Sequence, residues 1–299
     1  MRRWVGFAGL LVLFLPGCGS SDGSPPVASE RVFSFVVLAD PHVGGESDPA
    51  NRLQACADWV VANAEAEGID LLFVVGDLGS RRDQVKAVLD LLPVPWVPLI
   101  GDNDDEVAFD GTFAPHYAAL ATRLPGFRRA PIPVVPPGSG PPLYLQNFAF
   151  DHRGVRFVGL DWCTRTGTGL DAEQAELFDF AGGTLPWLAS ELADPPSERL
   201  ESVVMLSHHP MHSLVGGAGA FSSGELSAVN EVTGPHGAEV ALDLAGHYHF
   251  EWHDDVGAGG FEVYALDATH EDENSLYVVR VLDDGTRLRH SVVQVVVGG

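Results

Sequence analysis

The stretch Val32-Phe33-Ser34-Phe35-Val36-Val37-Leu38-Ala39-Asp40-Pro41-His42 decides how the rest of the chain is read. Its first eight residues are apolar but for Ser34 and rich in β-branched and aromatic side chains, as in a strand buried on both faces. It then stops at an acid, a proline and a histidine. Working outward, residues 52–66 carry Leu53, Cys56, Ala57, Val60 and Val61 at helical spacing. Residues 71–75 form a second apolar run, 84–92 a second helical segment, and 97–100 a third short strand behind Pro93 and Pro95. A β-α-β-α-β beginning predicts a parallel core sheet. Further strands are expected at 144–150, 155–160, 202–206 and 240–245, and a helix at 186–192. The C-terminal runs 250–252, 261–266, 276–282 and 288–297 read as antiparallel strands. Residues 125–142 and 214–236 read as surface loops, the first because it is rich in Pro and Gly, and Gly216–Ala220 as a mobile loop.

Polar residues gather where the strands end. The clusters are Asp40-Pro41-His42, Gly76-Asp77, Gly101-Asp102-Asn103-Asp104, Ser207-His208-His209-Pro210 and Gly246-His247-Tyr248-His249. Ligands of parallel α/β sheets bind beyond the carboxyl ends of strands, so five such clusters can converge on one site. Each has a plainer meaning too. Gly-Asp is a common turn or helix cap. The four acids from Asp102 to Glu106 also suit a helix N-terminus. If residues 40–42 are extended, Asp40 and His42 face one side and can share a cation. The histidine pairs are hardest to explain as packing, because a buried imidazole needs a partner, and imidazole is a common metal ligand.

Taken in order, the five clusters resemble the calcineurin-like metallophosphoesterases, over about residues 32–270. The resemblance implies an α/β fold, a four-layer α/β/β/α sandwich of the metallo-dependent phosphatase type. It also implies two divalent transition metals, Mn, Fe, Zn or Co. Asp40, His42 and His249 would hold the first, Asp102, His208 and His247 the second, and Asp77 would bridge them. A hydroxide between the metals would attack the phosphorus of a small phosphorylated substrate. The mix of carboxylate and imidazole suits such ions, and a structural zinc is disfavoured by the absence of cysteine from the clusters. Purple acid phosphatases carry a tyrosine three residues after the bridging acid. Ser80 stands there in this chain, so a tyrosinate–iron(III) colour is not expected.

Two departures fall together. Asp102 occupies the place of a ligand asparagine, and Asn103 that of a histidine taken to stabilise or protonate the leaving group. Three carboxylates against two divalent ions leave a charge of about +1, where an asparagine leaves about +2, which weakens attraction for phosphate dianions. A one-residue shift, with Asn103 as ligand and Asp104 as acid, is the less favoured reading because it displaces Gly101. The expected activity is therefore phosphodiester or activated monoester hydrolysis. The alternative is a lipid-anchored metal- or ligand-binding protein with degraded catalysis.

The 299 residues carry 17 Lys and Arg against 41 Asp and Glu, a net charge of −24, which argues against nucleic-acid binding. Arg2, Arg3 and the apolar stretch 5–15 have the form of an export signal. Leu15-Pro16-Gly17-Cys18 resembles a bacterial lipobox, with Pro16 a departure, and 19–26 reads as a tether. The expected organisation is a signal peptide at 1–17, a lipidated Cys18 and tether at 18–31, and one domain at 32–299. That places the protein outside the cytoplasm, membrane-attached through Cys18. Cys56 and Cys163 either pair or serve as small buried hydrophobes. His116, His152, His236, His253, His270 and His290 match no motif and read as satisfied or surface residues, while His209 and His212 are placed near the pocket.

Overall fold

A computed structural model describes residues 29–45, 49–138, 140–165, 174–193, 202–212, 221–237, 239–254, 260–270 and 274–297. The export signal, Cys18, most of the tether and Gly216–Ala220 lie outside them. The opening strand is β1 (Glu30–Leu38), followed by α1 (Pro49–Glu67), β2 (Ile69–Val75), α2 (Arg82–Leu89) and β3 (Trp96–Leu99). β1, β2 and β3 pair in parallel, as the β-α-β-α-β pattern predicts. Two long C-terminal strands complete this sheet, numbered here in chain order as β11 (Asn274–Asp283) and β12 (Leu288–Val297), giving β12-β11-β1-β2-β3. β11 runs antiparallel to both β1 and β12.

The second sheet contains β4 (Arg128–Arg129), β5 (Phe148–His152), β6 (Val155–Leu160), β7 (Ser202–Ser207), β8 (Val240–Ala245), β9 (Trp252–Asp254) and β10 (Glu262–Ala265). Its order is β4-β5-β6-β7-β8-β10-β9. The pleat sorts its side chains. Val204, Leu206, Leu242 and Leu244 join Phe35, Phe73 and Phe157 between the sheets. Val203, Met205 and Val240 face the other way, against Leu188 and Leu192 of α4 (Thr184–Ala193) and Leu226 and Val229 of α5 (Ser223–Thr233). With α1, α2 and α3 (Glu106–Arg123) on the first sheet, the layers are α/β/β/α. Phe157 touches the rings of Phe35, Phe73 and Phe150 at 5.1, 5.0 and 5.3 Å. Burying each such ring contributes up to about 3 kcal/mol.

Two local expectations change, and one helix joins those expected. β10 pairs in parallel with β8, so the C-terminal strands are not all antiparallel. The region 214–236 holds α5, begun by a capping box in which Ser222 and Glu225 each serve the other's backbone N–H. Residues 106–123 form α3, whose internal Gly111 and Pro115 mask the helical pattern. Asp105 caps it by accepting from Ala108 N at 2.8 Å, so this part of the acidic run is indeed a helix start. Cys56 and Cys163 are buried free thiols.

Candidate metal centre

Five strand ends meet here: β1, β2 and β3 from one sheet, β7 and β8 from the other. Three of them, β1, β2 and β8, deliver their ligands through left-handed backbone turns. Among the described residues, non-glycine positive φ occurs at Asp40 (49°), His42 (40°), Asp77 (50°), His247 (75°), His249 (56°), Arg153 and Phe178. The left-handed region is sparsely populated, costs about 1–3 kcal/mol per residue, and gathers at functional sites. Asp40 and His42 therefore converge through left-handed turns and not through the extended pleat expected from their spacing. The strand must end before its side chains can point into one point beyond the sheet edge.

Those turns bring the seven predicted residues into two groups. Ligand-type atoms of Asp40, His42, Asp77 and His249 lie within 4.8 Å of one another, as do those of Asp102, His208 and His247. Asp77 touches both: Oδ2 is 3.2 Å from His42 Nε2, and Oδ1 is 3.6 Å from His208 Nε2. His42 and His249 Nε2 are 3.3 Å apart, and His249 Nε2 is 3.6 Å from Asp40 Oδ1. In the second group Asp102 Oδ1 lies 2.8 Å from His208 Nε2 and 3.6 Å from His247 Nδ1. Donors bound at about 2.1 Å to one ion stand about 3.0–3.4 Å apart at cis or tetrahedral angles, so these spacings suit shared cations.

Glycines make the close approach feasible. A Cβ on Gly101 would lie 2.0 Å from Asp77 Oδ1, and one on Gly246 2.3 Å from Asp40 Oδ2. Backbone groups then lock the carboxylates: His247 N donates to Asp40 Oδ2 at 3.0 Å and Asn103 N to Asp77 Oδ1 at 3.0 Å. His208 Nδ1 donates to Val75 O at 3.1 Å, which leaves Nε2 for the site, as metal-binding histidines require.

The electrostatics show what the pocket is built to hold. Burial alone would lower the His208 pKa, yet Asp77, Asp102 and Asp40 hold it well above the ordinary imidazole value. Burial likewise opposes ionisation of Asp77, but His208 and His42 bring its carboxyl down to about 2. Asp102 is also lowered against its burial, by His208 and His247. The carboxylates remain charged and draw a positive partner into their midst. Divalent cations fit this donor set.

Asn103 is also placed by the fold. Its Nδ2 donates to Asp77 Oδ2 at 2.7 Å and lies 3.4 Å from Asp102 Oδ1. Asp104 faces away: Leu78 N and Gly101 N both donate to its Oδ2 at 3.1 Å, and Arg82 lies 3.3 Å from its Oδ1. Burial and Asp77 push its carboxyl up to about 6. Asp104 thus ties the turn together, and the shifted reading that made it an acid has no geometric support.

His209 is fully buried behind His247, rings 4.5 Å apart, with Nδ1 3.7 Å from Cys163 Sγ. His212 lies 3.1 Å from Asp254 and against Trp252. His116, His152, His236, His253 and His290 have partners away from the site in Trp96, Asp70, Glu239, Glu262 and Ser202. His270 differs, standing against His42 and His249 with ring centroids 4.5 and 5.0 Å away. No sequence motif marked it, because only folding carries the loop after β10 to the end of β1.

Behind the His208 turn sits Asp243, wholly buried. Met211 N donates to its Oδ2 at 2.8 Å. Ser207 Oγ is 2.8 Å from His209 O and 3.2 Å from Asp243 Oδ1, and one hydroxyl proton cannot serve both. A protonated Asp243 donating to Ser207 resolves this, consistent with burial pushing its carboxyl up to about 7. The unfolded chain releases that proton above about pH 4, while the folded chain keeps it to about pH 7. This group therefore lowers stability as pH rises between those values, and the loss persists above them. Asp243→Asn keeps both hydrogen bonds without the charge. It should match wild type near pH 4 and exceed it at pH 8 by about 1–3 kcal/mol in denaturant unfolding. Equal stability of the two proteins at pH 8 would refute the protonated carboxyl.

An α/β/β/α sandwich that converges carboxylates and imidazoles from five strand ends is the architecture of a metal-dependent hydrolase. The sequence matches the calcineurin-like phosphoesterase family over residues 33–251. The chain belongs to that family and is a metallophosphoesterase. Its fold is similar to that of a dimetal phosphatase from Danio rerio, at 16% identity and a TM-score of 0.57, covering 90% of this chain and all of the other. A Thermus thermophilus sulfate thiohydrolase, solved with glycerol, aligns at 14% identity and a TM-score of 0.44, covering 91% of this chain and 58% of the other. A search of curated protein sequences finds no match.

Proposed function

We propose that this protein hydrolyses a phosphodiester or an activated phosphomonoester outside the cytoplasm, at a two-metal site. Asp40, His42, Asp77 and His249 hold the first ion, and Asp77, Asp102, His208 and His247 the second. The observation that carries this is Asp77, whose two oxygens face the two groups separately. Two divalent ions such as Mn, Fe, Zn or Co, when bound, supply a bridging hydroxide as nucleophile and positive charge for the phosphoryl oxygens. The side chains do the rest. Asn103 holds Asp77 through its amide, and Val75 O sets the His208 ring. Asp102 brings a third carboxylate, which favours monoanionic diesters over dianionic monoesters.

The test is turnover of nitrophenyl phosphodiesters and monoesters by the full chain, before and after chelation and metal return. Chelation should cut the rate at least about a hundredfold, and one of the four metals should restore it. Two bound metal equivalents without turnover of either ester would favour the alternative, a lipid-anchored metal- or ligand-binding protein. The departures at Asp102 and Asn103 are what keep that alternative in play.

For location, the support is the sequence: Arg2, Arg3, the apolar stretch 5–15 and Cys18 before a polar tether. Cys18→Ser should abolish fatty-acid labelling and release the protein from membranes. Unchanged membrane fractionation of that variant would defeat the lipoprotein reading.

A further inference from the structure

The first metal position has two imidazoles by sequence motif, and the fold brings a third. His270 follows β10 in a segment stitched to both sheets: Leu266 N donates to Ala245 O at 2.8 Å, and Thr269 N to Ala39 O at 2.8 Å. Thr269 is wholly buried, and its hydroxyl donates to Ser275 O at 3.1 Å. His270 is therefore held in place by backbone on either side of the site. One ring nitrogen each of His42, His249 and His270 lies within 4.8 Å of the other two.

We propose that His270 is a direct ligand of the first metal, an assignment that rests on the two-metal reading above. The tautomer supports it. His270 Nδ1 lies 2.7 Å from Asp40 O and must donate to it, so Nε2 is the nitrogen presented for coordination. A backbone carbonyl on the far nitrogen is the usual orienting partner of a metal-bound histidine. Ligands at about 2.1 Å from one ion are about 3.0 Å apart when cis and about 4.2 Å when trans. His42 and His249 Nε2 already hold a cis spacing of 3.3 Å, and the His270 ring, with a nitrogen within 4.8 Å of both, must swing toward them to complete the set.

The consequence is an asymmetric pair of sites. The first becomes rich in nitrogen, with His42, His249 and His270 beside Asp40 and Asp77. The second keeps His208 and His247 beside Asp77 and Asp102. Nitrogen ligands favour borderline ions over oxygen-seeking ones such as Mn and Mg, so the two positions should differ in metal preference.

The experiment is Co(II) titration of the metal-free full chain, followed by visible absorption, for wild type, His270→Ala and His270→Asn. Asparagine places its amide N–H where Nδ1 was and keeps the bond to Asp40 O, but offers nothing at the Nε2 position. Wild type should take up two equivalents. Both variants should show one binding step weakened at least about tenfold, with altered absorption for that ion and an unchanged second step. Far-UV circular dichroism checks that both are folded. Identical steps and spectra in all three proteins overturn the assignment. So does a wild-type-like His270→Asn beside a weakened His270→Ala, which would leave His270 only a hydrogen-bonding support for Asp40. Fewer than two equivalents in wild type overturns the two-metal reading, and this assignment with it.

Discussion

Asp77→Asn should bind at least one metal equivalent fewer than wild type and lose at least about a thousandfold in rate, beyond the cost of removing one charge-stabilising donor elsewhere. The expectation follows from position. Asp77 puts one oxygen toward each group, and the imidazoles around it keep it ionised with its pKa down at about 2. An amide at this point removes a full negative charge from between two cations. It also sets donor against donor. With Oδ1 still accepting from Asn103 N, the new amide nitrogen would face Asn103 Nδ2 across the present 2.7 Å contact. His249→Ala is the graded comparison, since it removes one nitrogen from the first group and leaves the second intact. It should cost about one equivalent of metal, with the other retained. Metal analysis after gel filtration, together with ester turnover, reads both variants. Two retained equivalents in Asp77→Asn would end the bridging assignment.

Asn103→His should change how the rate depends on the leaving group. An amide donates a hydrogen bond but cannot deliver a proton near neutral pH. A missing general acid typically costs about 10²- to 10⁴-fold, and the loss is greatest for leaving groups that depart poorly as anions. Wild type should therefore turn over nitrophenyl esters well and alkyl esters poorly, with a steep dependence on leaving-group pKa. Asn103→His should flatten that dependence, raising alkyl ester rates by about tenfold or more. The variant also loses the Asn103 amide's bond to Asp77, so metal content must be measured in parallel. A uniform fall with an unchanged slope would mean that position 103 works only by holding Asp77. Asp104 is no substitute acid, because its two oxygens are spent on Leu78, Gly101 and Arg82.

Much of this protein can be read along the chain. Buried parallel strands announce themselves by composition, as β1, β2, β7 and β8 do, and their ends by the polar residues that cannot continue into the core. The order of those ends, Asp40 to His249, carries the family. What composition hides is helix that breaks its own pattern: Gly111 and Pro115 conceal α3, and the small polar residues of α5 conceal the second outer helix. Their packing faces, Phe109, Phe113 and Tyr117 in one and Leu226 and Val229 in the other, settle the matter through tertiary burial.

By itself, then, the sequence determined the strand ends, their ligand chemistry and the family, because strand composition and end polarity are local properties. Tertiary structure decided three other things. It set Asp77 between the two groups, turned five ligands left-handed against Gly101 and Gly246, and brought His270 to β1 from 230 residues away. Each depends on contacts between segments distant in the chain, and no local propensity encodes those. Sheet pairing and backbone hydrogen bonds across the two sheets do.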